Sequence, residues 1–152
     1  MGRLRESAIV RGAQAEVFDF ITNQSHVAEW NDHVQRVEVV GGGPVGVGSR
    51  LRQHRLRNNR EFVLEFVVTA HEPPSRHVVE GSVFGVATTM AFLVEPADDA
   101  TRVTMEAHVR GRGLSVLLAP IVTREMRKST VAALEQLARL HAAGPVPSGG
   151  VR

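Results

Sequence analysis

Thr101-Arg102-Val103-Thr104-Met105-Glu106-Ala107-His108-Val109-Arg110 decides the fold when it is read with the segment that opens at Pro120. In the first stretch Val103, Met105, Ala107 and Val109 alternate with Arg102, Thr104, Glu106 and His108. That is the two-residue period of a strand with one buried face, and it places His108 in solvent. From Pro120 the period becomes helical. Val122, Met126, Thr130, Ala133, Leu137 and Leu140 share one face, at spacings of four, four, three, four and three. Arg124, Lys128, Glu135 and Arg139 share the other, and Glu135 with Arg139 makes a favourable i,i+4 pair. Residues 120–142 are therefore expected to form one helix lying across a sheet. The middle of its apolar face is Thr130 and Ala133, where a tightly closed interface would carry Leu or Phe. Small residues there predict open space beneath the helix.

Upstream, the strand period recurs. Glu61 to His71 sets Phe62, Leu64, Phe66 and Val68 against Glu61, Val63, Glu65 and Val67, and stops at Pro73-Pro74. Arg50 to Arg57 ends at Asn58-Asn59, a hairpin turn. Arg76 to Val83 and Val86 to Glu95 are separated by Phe84-Gly85, and the segment from Pro96 to Ala100 reads as the next turn. Val34 to Val40 alternates as well. Leu4 to Arg11 reads as a first strand, followed by a helix over Ala13 to Thr22 with Val17, Phe20 and Ile21 on one face. Asn23 and Ser25 interrupt and recap it before a short helix carrying Val27 and Trp30. Short strands at this spacing make a meander. The expected architecture is α+β: a curved antiparallel sheet of six to seven strands wrapped on a long C-terminal helix, with two short helices after the first strand. One domain is expected over residues 1–143, with the Pro/Gly/Ser-rich stretch 144–152 as a disordered tail.

Composition narrows the chemistry. At 152 residues and 43% hydrophobic the chain can bury a core without a disulfide or metal staple. It has no cysteine, which excludes a disulfide framework, a thiolate zinc site and a cysteine nucleophile. The pI near 10.3 is misleading. Of 18 basic residues 17 are arginine, and they face 16 carboxylates for a formal net charge of +2. That density does not imply nucleic acid. The basic run from Arg50 to Arg60 has only Phe62 nearby, so the stacking aromatics of a single-strand binder are missing. No apolar run approaches the ~18 residues of a membrane span. Met1-Gly2-Arg3-Leu4-Arg5-Glu6 contains no apolar signal region, and Glu6 stands where a myristoylation signal has Ser or Thr. A cytoplasmic protein is expected, with a homodimer left open.

The run Arg50–Arg57 poses a parity problem. Arg50 and Arg52 are even, Arg55 and Arg57 odd, so a regular strand cannot keep all four on one face. A bulge near Gln53-His54 would reset the register, bring Leu51 and Leu56 inside and leave every arginine in water. That solution is favoured because it avoids a buried charge. Without the bulge, Arg55 points inward and becomes the candidate for gripping an acidic ligand group.

Seven histidines, at positions 26, 33, 54, 71, 77, 108 and 141, contain no HExxH and no i,i+4 pair, so no metal site is expected. No Ser–His–Asp or paired-carboxylate arrangement emerges from spacing, and catalytic residues stay unassigned. The glycine-rich segment from Gly41 to Gly48 lacks the Gly-Lys-Ser/Thr ending of a phosphate loop. Phe62, Phe66, Met90, Phe92, Met105 and Met126 face inward by parity or helical phase. They either fill a solid core or line an apolar pocket, and the pliant thioethers favour the pocket. An enclosed pocket of about 300–1,000 Å³ is the expectation. Its candidate ligand contacts are Trp30, Arg55, Phe66, Met90, Phe92, Met105, Met126 and Thr130; no cofactor is required. The plainer reading of Trp30, the single tryptophan, is packing.

Several local stretches, taken in order, carry a family resemblance. They are Ala13-Gln14-Ala15-Glu16-Val17-Phe18-Asp19-Phe20-Ile21, then Trp30, then Gly46-Val47-Gly48-Ser49-Arg50 opening a strand. Glu72-Pro73-Pro74 closes another strand and Thr101-Arg102-Val103-Thr104 opens the last. Over residues 3–142 this order resembles the START-like helix-grip superfamily, and within it the polyketide cyclase/dehydrase and lipid-transport family. The resemblance implies a small hydrophobic ligand, whether lipid, polyketide or aromatic metabolite, bound in an internal cavity. It also leaves two alternatives: an aromatase/cyclase-type enzyme, against which stands the absence of tyrosine, and a protein-interaction module, which a large exposed apolar patch would favour.

Overall fold

Buried and exposed side chains alternate most clearly along the middle of the fourth strand of the computed structural model, which describes residues 2–143; the expected tail, 144–152, lies outside the described residues. Strand β1 (Gly2–Val10) leads into helix α1 (Gln14–Thr22). A 3-10 turn at Gln24–His26 and the short helix α2 (Val27–Trp30) follow. Asn23 separates α1 from that turn: its Oδ1 accepts from the Ser25 amide at 3.0 Å and the Ser25 hydroxyl at 2.7 Å. Six strands come next: β2 (Val34–Val39), β3 (Arg50–Arg57), β4 (Arg60–Glu72), β5 (Arg76–Val83), β6 (Val86–Ala97) and β7 (Ala100–Arg110). After a 3-10 turn at Gly113–Leu117 the chain closes with α3 (Ala119–Ala143). All seven strands form one antiparallel sheet in the order β1-β7-β6-β5-β4-β3-β2. Chain order therefore runs across the sheet as a meander, and β1 closes it beside β7. Pro96 falls inside β6 rather than in the turn, because left-handed Asp98 lets Asp98-Asp99 reverse the chain alone.

The bulge expected in β3 is absent. β3 pairs with β4 without a register break from Arg50↔Val67 to Arg57↔Arg60. Leu51, Gln53 and Arg55 consequently share one face with Phe66, Leu64 and Phe62 of β4. The breaks fall on the neighbouring strands instead, between Val34 and Arg36 in β2 and between Val68 and Ala70 in β4. A bulge at Thr69 changes which parity faces inward. Phe62, Leu64, Phe66 and Val68 are inward before it, and His71 is brought opposite His77 after it. Avoiding a buried arginine is thus not what sets the register; the hairpin at Asn58-Asn59, both residues left-handed, sets it.

The core is split. One buried cluster joins α1 and α2 to β6, β7 and the C-terminal half of α3 through Phe18, Ile21, Trp30, Val103, Ala133 and Leu137. The other joins β3, β4 and β5 to the start of α3 through Leu51, Phe66, Val79, Ala119 and Val122. Met90 and Phe92 are only partly buried and pack against both. Leu134, outside the expected apolar face, is buried as well.

Gly81 lets Phe66 lie across β5. A Cβ there would fall on the Glu65 carbonyl oxygen and 2.6 Å from Phe66 Cδ1. Gly81→Ala is therefore expected to destabilise the fold by about 1–3 kcal/mol, the usual cost of overpacking; chemical denaturation of the variant against wild type measures it.

Candidate functional site

Between the two core clusters, under the middle of α3, lies a cavity of about 200 Å³. It is smaller than the sequence led us to expect, because aromatic and methionine side chains project into it, and it is not enclosed. Exposed His33, Arg57 and Phe84 belong to its lining and mark the mouth. All eight residues named from sequence line it: Trp30, Arg55, Phe66, Met90, Phe92, Met105, Met126 and Thr130. Their convergence follows from register. Val79↔Met90, His77↔Phe92 and Phe92↔Met105 are direct cross-strand pairs, while Met126, Thr130 and Ala133 descend from α3.

Several polar groups enter this apolar wall. Arg55 donates from Nη1 to Gln53 Oε1 at 2.9 Å, and burial lowers its guanidinium below the usual value. Among the described residues no carboxylate pairs with it; its neighbour at the mouth, Arg57, takes Glu125 at 3.6 Å. Trp30 is 3% exposed, and its indole N–H has no partner among the described residues. Its ring stands edge-on to Phe92, centroids 6.4 Å apart. His77, at 2% exposure, is pushed down to about 4 by burial first and by the neighbouring His71 second. The two rings meet Nδ1 to Nδ1 at 3.0 Å, so one donates and the other accepts.

Gln53 and His77 were missed from sequence. Gln53 was legible as the residue two before Arg55 on a regular strand. The His71–His77 pair was legible as two positions equidistant from Pro74 in a hairpin. Among the described residues no group of three or more His, Asp or Glu is placed to hold a metal ion. Among the described residues no helix is long and apolar enough to cross a membrane.

A curved antiparallel sheet holding one long helix over an apolar cavity defines a helix-grip protein. The chain belongs to the polyketide cyclase/dehydrase and lipid transport family, whose model matches residues 1–141. Solved structures agree on the fold. Ara h 8.0201 superposes with a TM-score of 0.77 at 11% identity, over 94% of this chain and 99% of that one. The di-domain ARO/CYC BexL from the BE-7585A biosynthetic pathway gives 0.76 at 16%, over 91% of this chain and 46% of that one. TTHA0849 from Thermus thermophilus gives 0.74 at 15%, over 95% and 99%. No curated protein sequence matches the chain.

Two outcomes follow from this geometry. In the unfolded chain His77 titrates near 6.5, in the folded chain near 4. Acid therefore protonates the unfolded state first, so stability is full above about pH 6.5 and drains as pH falls toward 4. Urea unfolding at pH 7 and pH 4 should show wild type losing on the order of 2–3 kcal/mol more than His77→Asn. Filling a cavity also differs from overpacking a solid core. Met126→Phe should change stability by less than about 1 kcal/mol, against the ~1–3 kcal/mol that overpacking costs; thermal melts decide it.

Proposed function

We propose that the cavity binds a small hydrophobic molecule carrying an acidic group. Its apolar body lies against Phe66, Met90, Phe92, Met105 and Met126, and its anion meets Arg55. One observation carries this reading: a half-buried guanidinium lines an apolar cavity with a neutral amide as its hydrogen-bond partner. An unpaired charge out of water costs several kcal/mol. A ligand carboxylate relieves that cost through a bidentate, charge-assisted pair. Trp30 supplies a second unsatisfied donor on the same wall. The methionines accommodate irregular apolar shapes, which suits the range of ligands the family description spans.

A second reading, a cyclase-type enzyme in the sense of the ARO/CYC neighbours, draws on His77. That imidazole is neutral near pH 7, reaches the cavity and is hydrogen-bonded to a second imidazole. A neutral imidazole so placed can take a proton from an activated carbon and return it to an oxygen.

The test is a comparison of a medium-chain fatty acid, small enough for the cavity, with its methyl ester, by calorimetry on wild type and Arg55→Gln. The acid should bind wild type about 10–100-fold more tightly than the ester, as a charge-assisted hydrogen bond requires. Arg55→Gln should erase the difference while leaving ester binding in place. Equal binding of acid and ester by wild type overturns the role of Arg55.

A further inference from the structure

Eleven large hydrophobic side chains are exposed among the described residues, and six gather at one end: Phe84, Leu114, Val116, Leu117, Leu118 and Ile121. Leu114 and Leu117 are 87% and 73% exposed. Topology brings them together. The turn Phe84-Gly85 joins β5 to β6 at the end of the sheet where β7 finishes, Ala87 pairing with Arg110. The 3-10 turn and the first turn of α3 continue from there. The protruding segment is preformed: Ser115 Oγ lies 2.6 Å from both the amide and the carbonyl of Arg112. Gly111 allows the turn to fold back, since a Cβ there would sit 2.6 Å from the Val116 backbone.

Unpaired cations flank this apolar end: Arg110, Arg112 and Arg124 are all exposed, and none has an ion-pair partner among the described residues. The nearby carboxylate of Glu125 is taken by Arg57. Two copies meeting through this face would oppose arginine to arginine. A bilayer of anionic lipid instead receives the leucines at the acyl boundary and the guanidiniums at its phosphates.

We propose that this end docks on an anionic lipid bilayer. Phe84 and Arg57 belong both to this end and to the cavity mouth, so docking presents the mouth to the membrane and gives an apolar molecule a path that avoids water. The inference stands on the surface alone and does not depend on which ligand the cavity takes.

Flotation of the full chain with phosphatidylglycerol/phosphatidylcholine vesicles, against phosphatidylcholine alone, tests it. Wild type should float with the anionic vesicles and lose binding as salt rises. Leu114→Ser with Leu117→Ser should weaken partitioning by more than about tenfold, as loss of buried apolar area requires. Arg112→Gln with Arg124→Gln should weaken it about 30-fold, roughly fivefold per charge. These side chains are exposed, and circular dichroism confirms that each variant is folded. The proposal is overturned if wild type ignores anionic vesicles, or if folded variants float like wild type. It is equally overturned if sedimentation shows an oligomer that the leucine variant dissociates.

Discussion

Helix α3 packs along β1 and is held by two separate apolar clusters while the concave sheet curves away beneath its middle, and the organisation of this protein depends on that constraint. Ala119 and Val122 anchor the start of α3 in one core cluster, while Ala133, Leu134 and Leu137 anchor its second half in the other. Between them stand Met126, Ser129 and Thr130, over a sheet that curves away, and the cavity is the space that remains. Larger residues at Thr130 and Ala133 would bridge that gap and turn two clusters into one. The fold is therefore stabilised by apolar burial at both ends of α3, with the middle left for other chemistry.

Polar groups that enter such a cavity change character. Water solvates them poorly and the wall offers few partners, so each is shifted toward its neutral state or left with an unmet hydrogen bond. His77 loses its charge through burial and its His71 neighbour, and Arg55 is weakened in the same direction. Trp30 keeps an N–H with no acceptor among the described residues. Arg55 and the His71–His77 pair are placed by register: uninterrupted pairing of β3 with β4 carries Arg55 inward, and the break at Thr69 turns His71 toward His77. Register, a backbone property, thus sets the electrostatics of the site.

Family membership and fold leave the ligand open, since the same architecture is shared by proteins as different as Ara h 8.0201 and the di-domain ARO/CYC BexL. What distinguishes this chain is local. Its cavity is small and carries a cation with no ion-pair partner among the described residues, and its mouth shares one end of the molecule with an arginine-flanked apolar protrusion.

Periodicity alone determined the element order, the meander and the amphipathic α3, because a two-residue or 3.6-residue apolar pattern is a local property that burial enforces directly. The same patterns identified Phe66, Met90, Phe92, Met105, Met126 and Thr130 as one inward-facing set, which the cavity lining contains. Arg55 was ambiguous for a physical reason. Local chemistry argues against burying a charge, whereas strand pairing is decided by turns and neighbours that lie outside the run itself. The position of His71 depended likewise on a bulge at Thr69 that no residue type there announces. The apolar end formed by Phe84 and the segment after Arg110 came from two parts of the chain that only the closed sheet brings together. Contacts between sequence-distant residues are made by topology, and so tertiary structure alone decided which way Arg55 and His71 face and what surface surrounds the cavity mouth.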